Sequence, residues 1–440
     1  MNKLNYKFER SNDKITPFGG ISLLIPLFEK LGIRDYLDKE LDHPGSNRGK
    51  PPSSKIIPVI ISMVCGGRSF SDIDKLSFDK VLSYISGIED IPDSSSISRY
   101  FSNTESMFEA VAVNKTISKL GSLNYKIVKD ALKRENLFSV TLDQDATYTE
   151  VYKRDAKYCY KKFKAYSSLM CFIGEGGYCI DEEFREGNVN AQVGILDQLQ
   201  RVHKYLKSSG IKVSNVRNDS AGYQAKVLNY CFDNGLTFFI GGDLDISVMR
   251  EIENIPSESW QIYYDRYGCE SCNEEVSEFI HSMGSTKESF RMIVVRKRIE
   301  SDNPTVPELL GDNYEYRVIA TNSELDAEKV VHFYNLRGVC EYNIKEAKYG
   351  FNLKSFPSGN LAGNGLWLKV GILAYNLIMY LKRIIMGGSY KNKEMASIRY
   401  QVISIAGKLV SHGGRKVLKL CCDVEMFKKM EYWRSECLML

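Results

Sequence analysis

Two stretches of this 440-residue chain place chemically capable groups at regular spacing. In Phe138-Ser139-Val140-Thr141-Leu142-Asp143-Gln144-Asp145, apolar and polar residues alternate as in a half-buried strand, which puts Asp143 and Asp145 on one face. From Tyr334 to Lys348 the pattern is helical. At about 100° per residue, Tyr334, Arg337, Glu341, Lys345 and Lys348 fall within a sector of roughly 80°. One face then presents a carboxylate among three cations and a phenol, and by charge patterning alone this is a solvated, salt-bridged face. Leu336, Cys340 and Ile344 share a neighbouring sector and are expected to bury, while Glu346 points elsewhere. Gly338 is unusual inside such a helix, because it destabilises one unless something must approach closely. A third candidate is the proline-started, Ser/Asp-capped helix at Ile91-Pro92-Asp93-Ser94-Ser95-Ser96-Ile97-Ser98-Arg99. Its Ser96, Ser98 and Arg99 suit DNA phosphates and base edges, and they equally suit any capped surface helix.

The elements that must position these groups follow from periodicity. From Pro17 to about Asp130, apolar residues recur at three- and four-residue steps, as in Ile56-Ile57-Val59-Ile60-Met63-Val64, with breaks such as Cys65-Gly66-Gly67, so this region is helical. Around Asn136 the period becomes two. Strands are expected at Phe138–Asp145, Tyr158–Tyr166, Leu169–Ile173 and Tyr178–Phe184, then a helix at Ala191–Lys207, a strand at Ile211–Val216 that ends near Asp219, a helix to about Phe232 and a strand at Leu236–Ile240. This order implies an α/β fold with a mixed sheet and acidic residues at strand ends. Residues from about Ser257 to Asn322 read mostly as strands, at Trp260–Tyr264, Val276–His281, Phe290–Arg296 and Tyr314–Thr321, and look like a β-rich insertion. From Asp326 to the C-terminus the helical period returns.

Composition sets limits. With 43% hydrophobic and 26% charged residues, the chain is neither disordered nor a disulfide scaffold, and its length suggests two or three folded units. The net charge is only +4, so a polyanion would have to be met by local charge. Eleven cysteines without repeated pair spacing, and no apolar leader after Met1, favour a reducing cytoplasm. The one CxxC, Cys269 to Cys272, lacks the second pair a tetrahedral zinc site needs and reads as two free thiols. Val370–Leu381 is too short to span a membrane and reads as a buried helix.

Tyr334, Arg337, Glu341 and Lys348 match a Tyr, two residues, Arg, three residues, Glu, six residues, Lys spacing that resembles the signature of bacterial insertion-sequence DDE transposases. Asp143-Gln144-Asp145-Ala146-Thr147 is similar to that family's first acidic motif, where Thr follows the Asp by two residues. Arg217-Asn218-Asp219-Ser220-Ala221-Gly222-Tyr223 resembles its second, with Asn218 and Tyr223 where a small residue and Phe are usual. The likeness extends through Ser96-Ile97-Ser98-Arg99-Tyr100-Phe101 and Leu373-Ala374-Tyr375-Asn376-Leu377, from about Gly19 to Leu420.

This resemblance implies a ribonuclease H-like core interrupted by the β-rich insertion, behind a helical DNA-binding region. The expected division is a helical N-terminal region over 1–130, core over 131–245, insertion over 246–322, core again over 323–390 and a helical tail over 391–440. It further implies that Asp145, Asp219 and Glu341 are the catalytic carboxylates and hold two divalent ions, Mg²⁺ or Mn²⁺, for which hard oxygen ligands are suited. Asp145 is preferred to Asp143 because Thr147 follows it by two residues; Asp143 shares the strand face and remains open. Arg337, Lys345 and Lys348 are expected at DNA phosphates, Tyr334 at a phosphate or a displaced base, and Ser96, Ser98 and Arg99 at the DNA ends. The implied partners are double-stranded DNA, as terminal inverted repeats and target, and a second copy of the chain, with a nucleoid-associated location and no membrane. A catalytically silent, end-binding relative is the alternative reading.

Overall fold

The computed structural model describes residues 7–43, 49–102, 107–299 and 314–440. The chain forms two units: residues 1–123 with 346–440, and residues 124–345.

The first unit opens with β1 (Ile15–Thr16) and is otherwise helical through its N-terminal part, as expected from the period. Helix Ser53–Cys65, nearly all apolar, is buried over most of its length. Its last carbonyls, from Met63 and Val64, accept hydrogen bonds from the Arg399 guanidinium at 3.2 and 2.8 Å, which places a cation at the negative end of the helix. Helix Leu361–Tyr380 is mostly apolar and buried over nearly its whole length, Asn364, Lys369 and Asn376 included, with Asn360 capping it by accepting from the Gly363 N–H at 2.8 Å. Phe70, Phe101 and Trp367 meet edge to face at 5.1 to 6.3 Å and tie helix Ser94–Ser102 into this core.

The second unit is built on one large sheet. Its strands are β2 (Ser139–Glu150), β3 (Lys157–Tyr158), β4 (Lys164–Ile173), β5 (Cys179–Glu186), β6 (Lys212–Asn218), β7 (Thr237–Gly241), β8 (Gln261–Tyr264), β9 (Glu270–His281), β10 (Phe290–Arg298) and β11 (Tyr314–Thr321). They lie in the order β3-β4-β2-β6-β7-β11-β10-β9-β8, with β5 beside β4. β2 pairs antiparallel with β4 and parallel with β6, and β6 pairs parallel with β7. The amphipathic helix Ile195–Ser208 connects β5 to β6, and helix Ala225–Asn234 connects β6 to β7.

Two expectations change here. The expected Tyr158–Tyr166 strand is interrupted, because a turn at residues 159–163 closes with the Cys159 N–H on the Phe163 carbonyl at 2.9 Å. The stretch expected to be β-rich holds β8 to β11, and β11 pairs with β7 through Ala320 and Ile240, so these strands extend the core sheet. The C-terminal region is not wholly helical either. β12 (Gly407–His412) and β13 (Arg415–Leu420) form a hairpin that pairs with β1, before helix Val424–Met439. The hairpin turns on Gly413 and Gly414 at φ +55° and +77°, the left-handed pair that a tight two-residue connection requires. Among the described residues, no helix is long and apolar enough to cross a membrane.

Candidate active site

β2 and β6 run parallel in a register that ends at Gln144 opposite Asn218, so Asp145 and Asp219 follow side by side, each one residue beyond the last paired position. Asp219 closes β6 and caps the short turn Ser220–Gly222, accepting from the Ala221 N–H at 3.0 Å. Asp143, two residues earlier on the same face, is otherwise engaged. Both its oxygens accept from Arg217, at 2.6 and 2.7 Å, and the pair is almost fully buried. Arg217 also donates to the Phe333 carbonyl at 3.0 Å and lies 4.9 Å from the Phe333 ring centre, tying two strands to helix Ala327–Asn335. Val330 and Val331 of that helix are buried against Phe239, Ile293 and Ile319 of the sheet.

The Tyr334–Lys348 stretch is not one helix. Helix Ala327–Asn335 ends after Tyr334, a two-residue joint holds Leu336 and Arg337, and helix Gly338–Gly350 begins. The joint is wound tighter than an α-helix: N–H groups of Leu336, Arg337, Val339 and Cys340 each bond a carbonyl three residues back, at 2.8 to 3.3 Å. The residues expected along one helix are therefore divided, with Tyr334 on the first helix, Arg337 at the joint and Glu341, Lys345 and Lys348 on the second. Leu336, expected to bury, is 38% exposed, whereas Cys340 and Ile344 are buried as expected. Gly338 starts the second helix with nothing within 4 Å of where a side chain would begin, so no close approach explains it.

The break re-aims the charged groups rather than dispersing them. Arg337 bonds the Glu341 carboxylate at 2.5 Å and stands 4.0 Å from Asp145. Tyr334 reaches the same place through a gap at the end of β7: a Cβ on Gly241 would lie 2.6 Å from the Tyr334 hydroxyl and 3.3 Å from the Ser220 nitrogen. Burial, reinforced by the neighbouring Asp219 charge and opposed by Arg337, pushes the Asp145 carboxyl up to about 7. Burial likewise raises Asp219 against the pull of Arg337. For Arg337, burial alone works against its charge, but Tyr334, Asp145, Glu341 and Asp219 outweigh burial and hold the guanidinium above its usual range. Tyr334 is raised by burial despite Arg337.

Asp145, Asp219 and Glu341 are thus gathered around one guanidinium. Among the described residues, no three His, Cys, Asp or Glu side chains are drawn together closely enough to cage a metal ion as they stand. The donor chemistry nevertheless fits a hard divalent cation. All three are carboxylates, and the charge of Asp219 raises Asp145, a repulsion that a cation between them would relieve.

Lys345 is exposed on helix Gly338–Gly350. Lys348, on the last turn of that helix, belongs to the other unit, as do Ser96, Ser98 and Arg99. In helix Ser94–Ser102, Asp93 accepts from the Ser96 N–H at 2.7 Å and Asp74 accepts from the Ser94 N–H at 2.8 Å, so the expected cap is present; Arg99 is exposed. Cys269 is a free, exposed thiol, and the Cys272 side chain lies outside the described residues.

Sequence reasoning missed Arg217 and Gly241. The signal for Arg217 is its place two residues before Asp219, mirroring Asp143 two residues before Asp145; Gly241 ends a strand that can be read from the sequence, but its partner lies far along the chain.

Residues 4–431 match the family model described as Transposase DDE domain group 1. No curated protein matches the chain. Among solved structures, the chain is similar to one described as a cryo-EM structure of the piggyBac transposase synaptic complex with hairpin DNA, at 11% identity and a TM-score of 0.45, over 87% of this chain and 79% of that one.

Proposed function

Because the chain belongs to the transposase DDE domain group 1 family and is a DNA transposase, we propose that it cuts DNA at the ends of its own element and joins those ends to a target, with Asp145, Asp219 and Glu341 as the catalytic carboxylates. The observation that carries this reading is the placement of Asp145 and Asp219 at the ends of adjacent parallel strands, with Glu341 linked to Asp145 through Arg337. The strand order β5-β4-β2-β6-β7, antiparallel on one side of β2 and parallel on the other, supports a ribonuclease H-like core.

Domains of this family use divalent metal ions. Asp145, Asp219 and Glu341 would hold them, and bound there they supply Lewis acidity to the phosphodiester and lower the pKa of the attacking hydroxyl. The chain's own residues do the rest. Arg337 balances the carboxylates and, on leaving Glu341, offers its fork to a phosphate. Tyr334, seated over Gly241, sets its hydroxyl beside the Asp219 turn, where a phosphate oxygen or a displaced base lies. Lys345 and Lys348 add phosphate contacts, while Ser96, Ser98 and Arg99 contact the terminal repeats. Two ends must be paired, so the working form is a homodimer. Sequence favours Mg²⁺ or Mn²⁺ as the ion.

The test is strand transfer. Purified protein with linear DNA bearing the element's ends is expected to nick and join only with Mg²⁺ or Mn²⁺, and EDTA is expected to abolish joining while end-binding persists. Joining at full rate in EDTA would overturn the reading. Gly241→Ala gives a finer check: the new methyl displaces the Tyr334 hydroxyl, and joining is expected to fall about tenfold with an unchanged thermal midpoint. Wild-type rates in that variant would remove Tyr334 from the mechanism.

A further inference from the structure

β2 runs past the catalytic end of the sheet. Its pairing with β6 stops at Gln144, and it continues to Glu150 paired with β4, so residues 145–150 and the start of β4 form an arm. The arm carries a segment that the catalytic reading does not use, Tyr152-Lys153-Arg154-Asp155-Ala156-Lys157-Tyr158-Cys159-Tyr160-Lys161-Lys162-Phe163-Lys164. It holds six cations and one carboxylate. That carboxylate is already engaged, since Asp155 accepts from the Tyr166 hydroxyl at 3.2 Å through either oxygen. The segment is therefore strongly basic within a chain whose net charge is only +4.

The arm tip is built, not loose. Val151, Ala156 and Cys159 are buried, β3 pairs with the start of β4, and the Lys162 N–H closes the turn on the Cys159 carbonyl at 2.9 Å. Lys162 holds this turn at φ +65°, in the left-handed region. Gly187, after β5, lets the strands close, since a Cβ there would lie 2.2 Å from the Ala165 carbonyl and 2.6 Å from that of Lys157. On this base three tyrosines face outward: Tyr152, Tyr158 and Tyr160 are 93%, 64% and 71% exposed. Arg154, Lys157, Lys161 and Lys162 are exposed among them. Tyr160 is held edge to face against Tyr148 at 5.4 Å, with the Lys161 ammonium 5.6 Å from its ring centre, and Tyr152 donates to Glu150 at 3.3 Å; exposed rings fixed among cations are what an unpaired nucleic-acid strand needs, cations for the phosphates and flat rings on which bases stack.

We infer that the tip of the β2–β4 arm is a binding surface for unpaired DNA flanking the cleavage site, with Arg154, Lys157, Lys161 and Lys162 on the backbone and Tyr158 and Tyr160 stacking on bases. The inference rests on the transposase reading and adds to it the place where the opened strand is held. At about 3.4 Å per residue, the five residues from Asp145 to Glu150 span roughly 17 Å.

The experiment uses full-length protein and two fluorescein-labelled probes, oligo(dT) and a blunt random-sequence duplex, in anisotropy titrations over a range of KCl. Tyr158→Ala/Tyr160→Ala is expected to weaken oligo(dT) binding at least tenfold and duplex binding less than twofold. Lys157→Ser/Lys161→Ser is expected to weaken both probes and to flatten the log–log salt dependence by about one for every phosphate no longer neutralised. Arg154→Ser, at a separate point on the surface, serves as an independent charge variant should a double variant fold poorly. Unchanged binding of oligo(dT) in these variants overturns the inference. So does a change in oligomeric mass by light scattering with DNA affinity intact, which would assign the surface to another protein chain. Loss of strand transfer in Asp219→Ala with oligo(dT) binding intact concerns the catalytic reading alone, so the two can fail separately.

Discussion

Asp145→Asn is expected to lower strand cleavage and joining by about a thousandfold, ~4 kcal/mol of transition-state stabilisation, while DNA-end binding stays within twofold. Asp219→Ala and Glu341→Ala are expected to behave likewise. The reason lies in geometry: Asp145 and Asp219 extend beyond the last paired residues of two adjacent strands, and Glu341 reaches the same guanidinium as Asp145. Asp145→Asn should also carry a stability signature that an ordinary surface change lacks. The folded protein holds the Asp145 carboxyl at about 7, against 3.8 for an unhindered aspartate, through burial first and Asp219 second. A carboxyl raised on folding leaves stability intact below the unfolded value and removes it as pH rises through the folded value. Metal-free Asp145→Asn is therefore expected to be more stable than the wild type above pH 7, by on the order of 2 kcal/mol, with the gap closing by about pH 4. Thermal midpoints across this range in EDTA provide the measurement. An active Asp145→Asn variant beside a dead, fully folded Asp143→Asn variant would exchange the roles of the two aspartates.

Arg217→Ala is expected to destabilise the unit over residues 124–345 by about 3–5 kcal/mol, because it strands the buried Asp143 carboxylate without the cation that pairs it. It also removes the donor to the Phe333 carbonyl, next to Tyr334. Replacing both partners by apolar groups of similar volume, as in Asp143→Leu/Arg217→Met, is expected to recover most of the loss, since no charge is then left buried. The readout is the urea midpoint of the single and double variants. An Arg217→Ala midpoint equal to wild type would mean that Asp143 is not held by this pair.

Much of the sheet can be read from local pattern, since β2 and β11 begin with apolar and polar residues in alternation while β6 and β7 are short runs bounded by turns. Asp145 and Asp219 stand out as candidates because each sits at the polar end of such a run and matches a family motif. What local pattern cannot supply is register. That Arg217 faces Asp143 follows from the parallel alignment of β2 with β6, which no residue in either strand announces. The contact between Gly241 and Tyr334 depends on a strand end meeting a helix end, so it too is set by tertiary packing. The helix break has one visible cue, Gly338, which reads equally well as a tolerated helix glycine. The β12–β13 hairpin has a clear cue in Gly413-Gly414, obscured because the flanking Leu409, Val410, Val417 and Leu418 also fit helical spacing. The exposed tyrosines of the arm carry no period, and only their exposure separates them from core residues.

The division of the chain has a consequence for biosynthesis. The unit that carries Asp145, Asp219 and Glu341 is one uninterrupted segment, residues 124–345, whereas the other unit combines residues before it with residues after it. A ribosome delivering the chain from its N-terminus therefore releases the whole sheet before helix Leu361–Tyr380, the buried centre of the other unit, exists at all. The early helices must wait for a partner made last, with apolar faces such as that of helix Ser53–Cys65 uncovered meanwhile. That interval, rather than the pairing of the large sheet, is when the nascent chain is most exposed to aggregation and to chaperones.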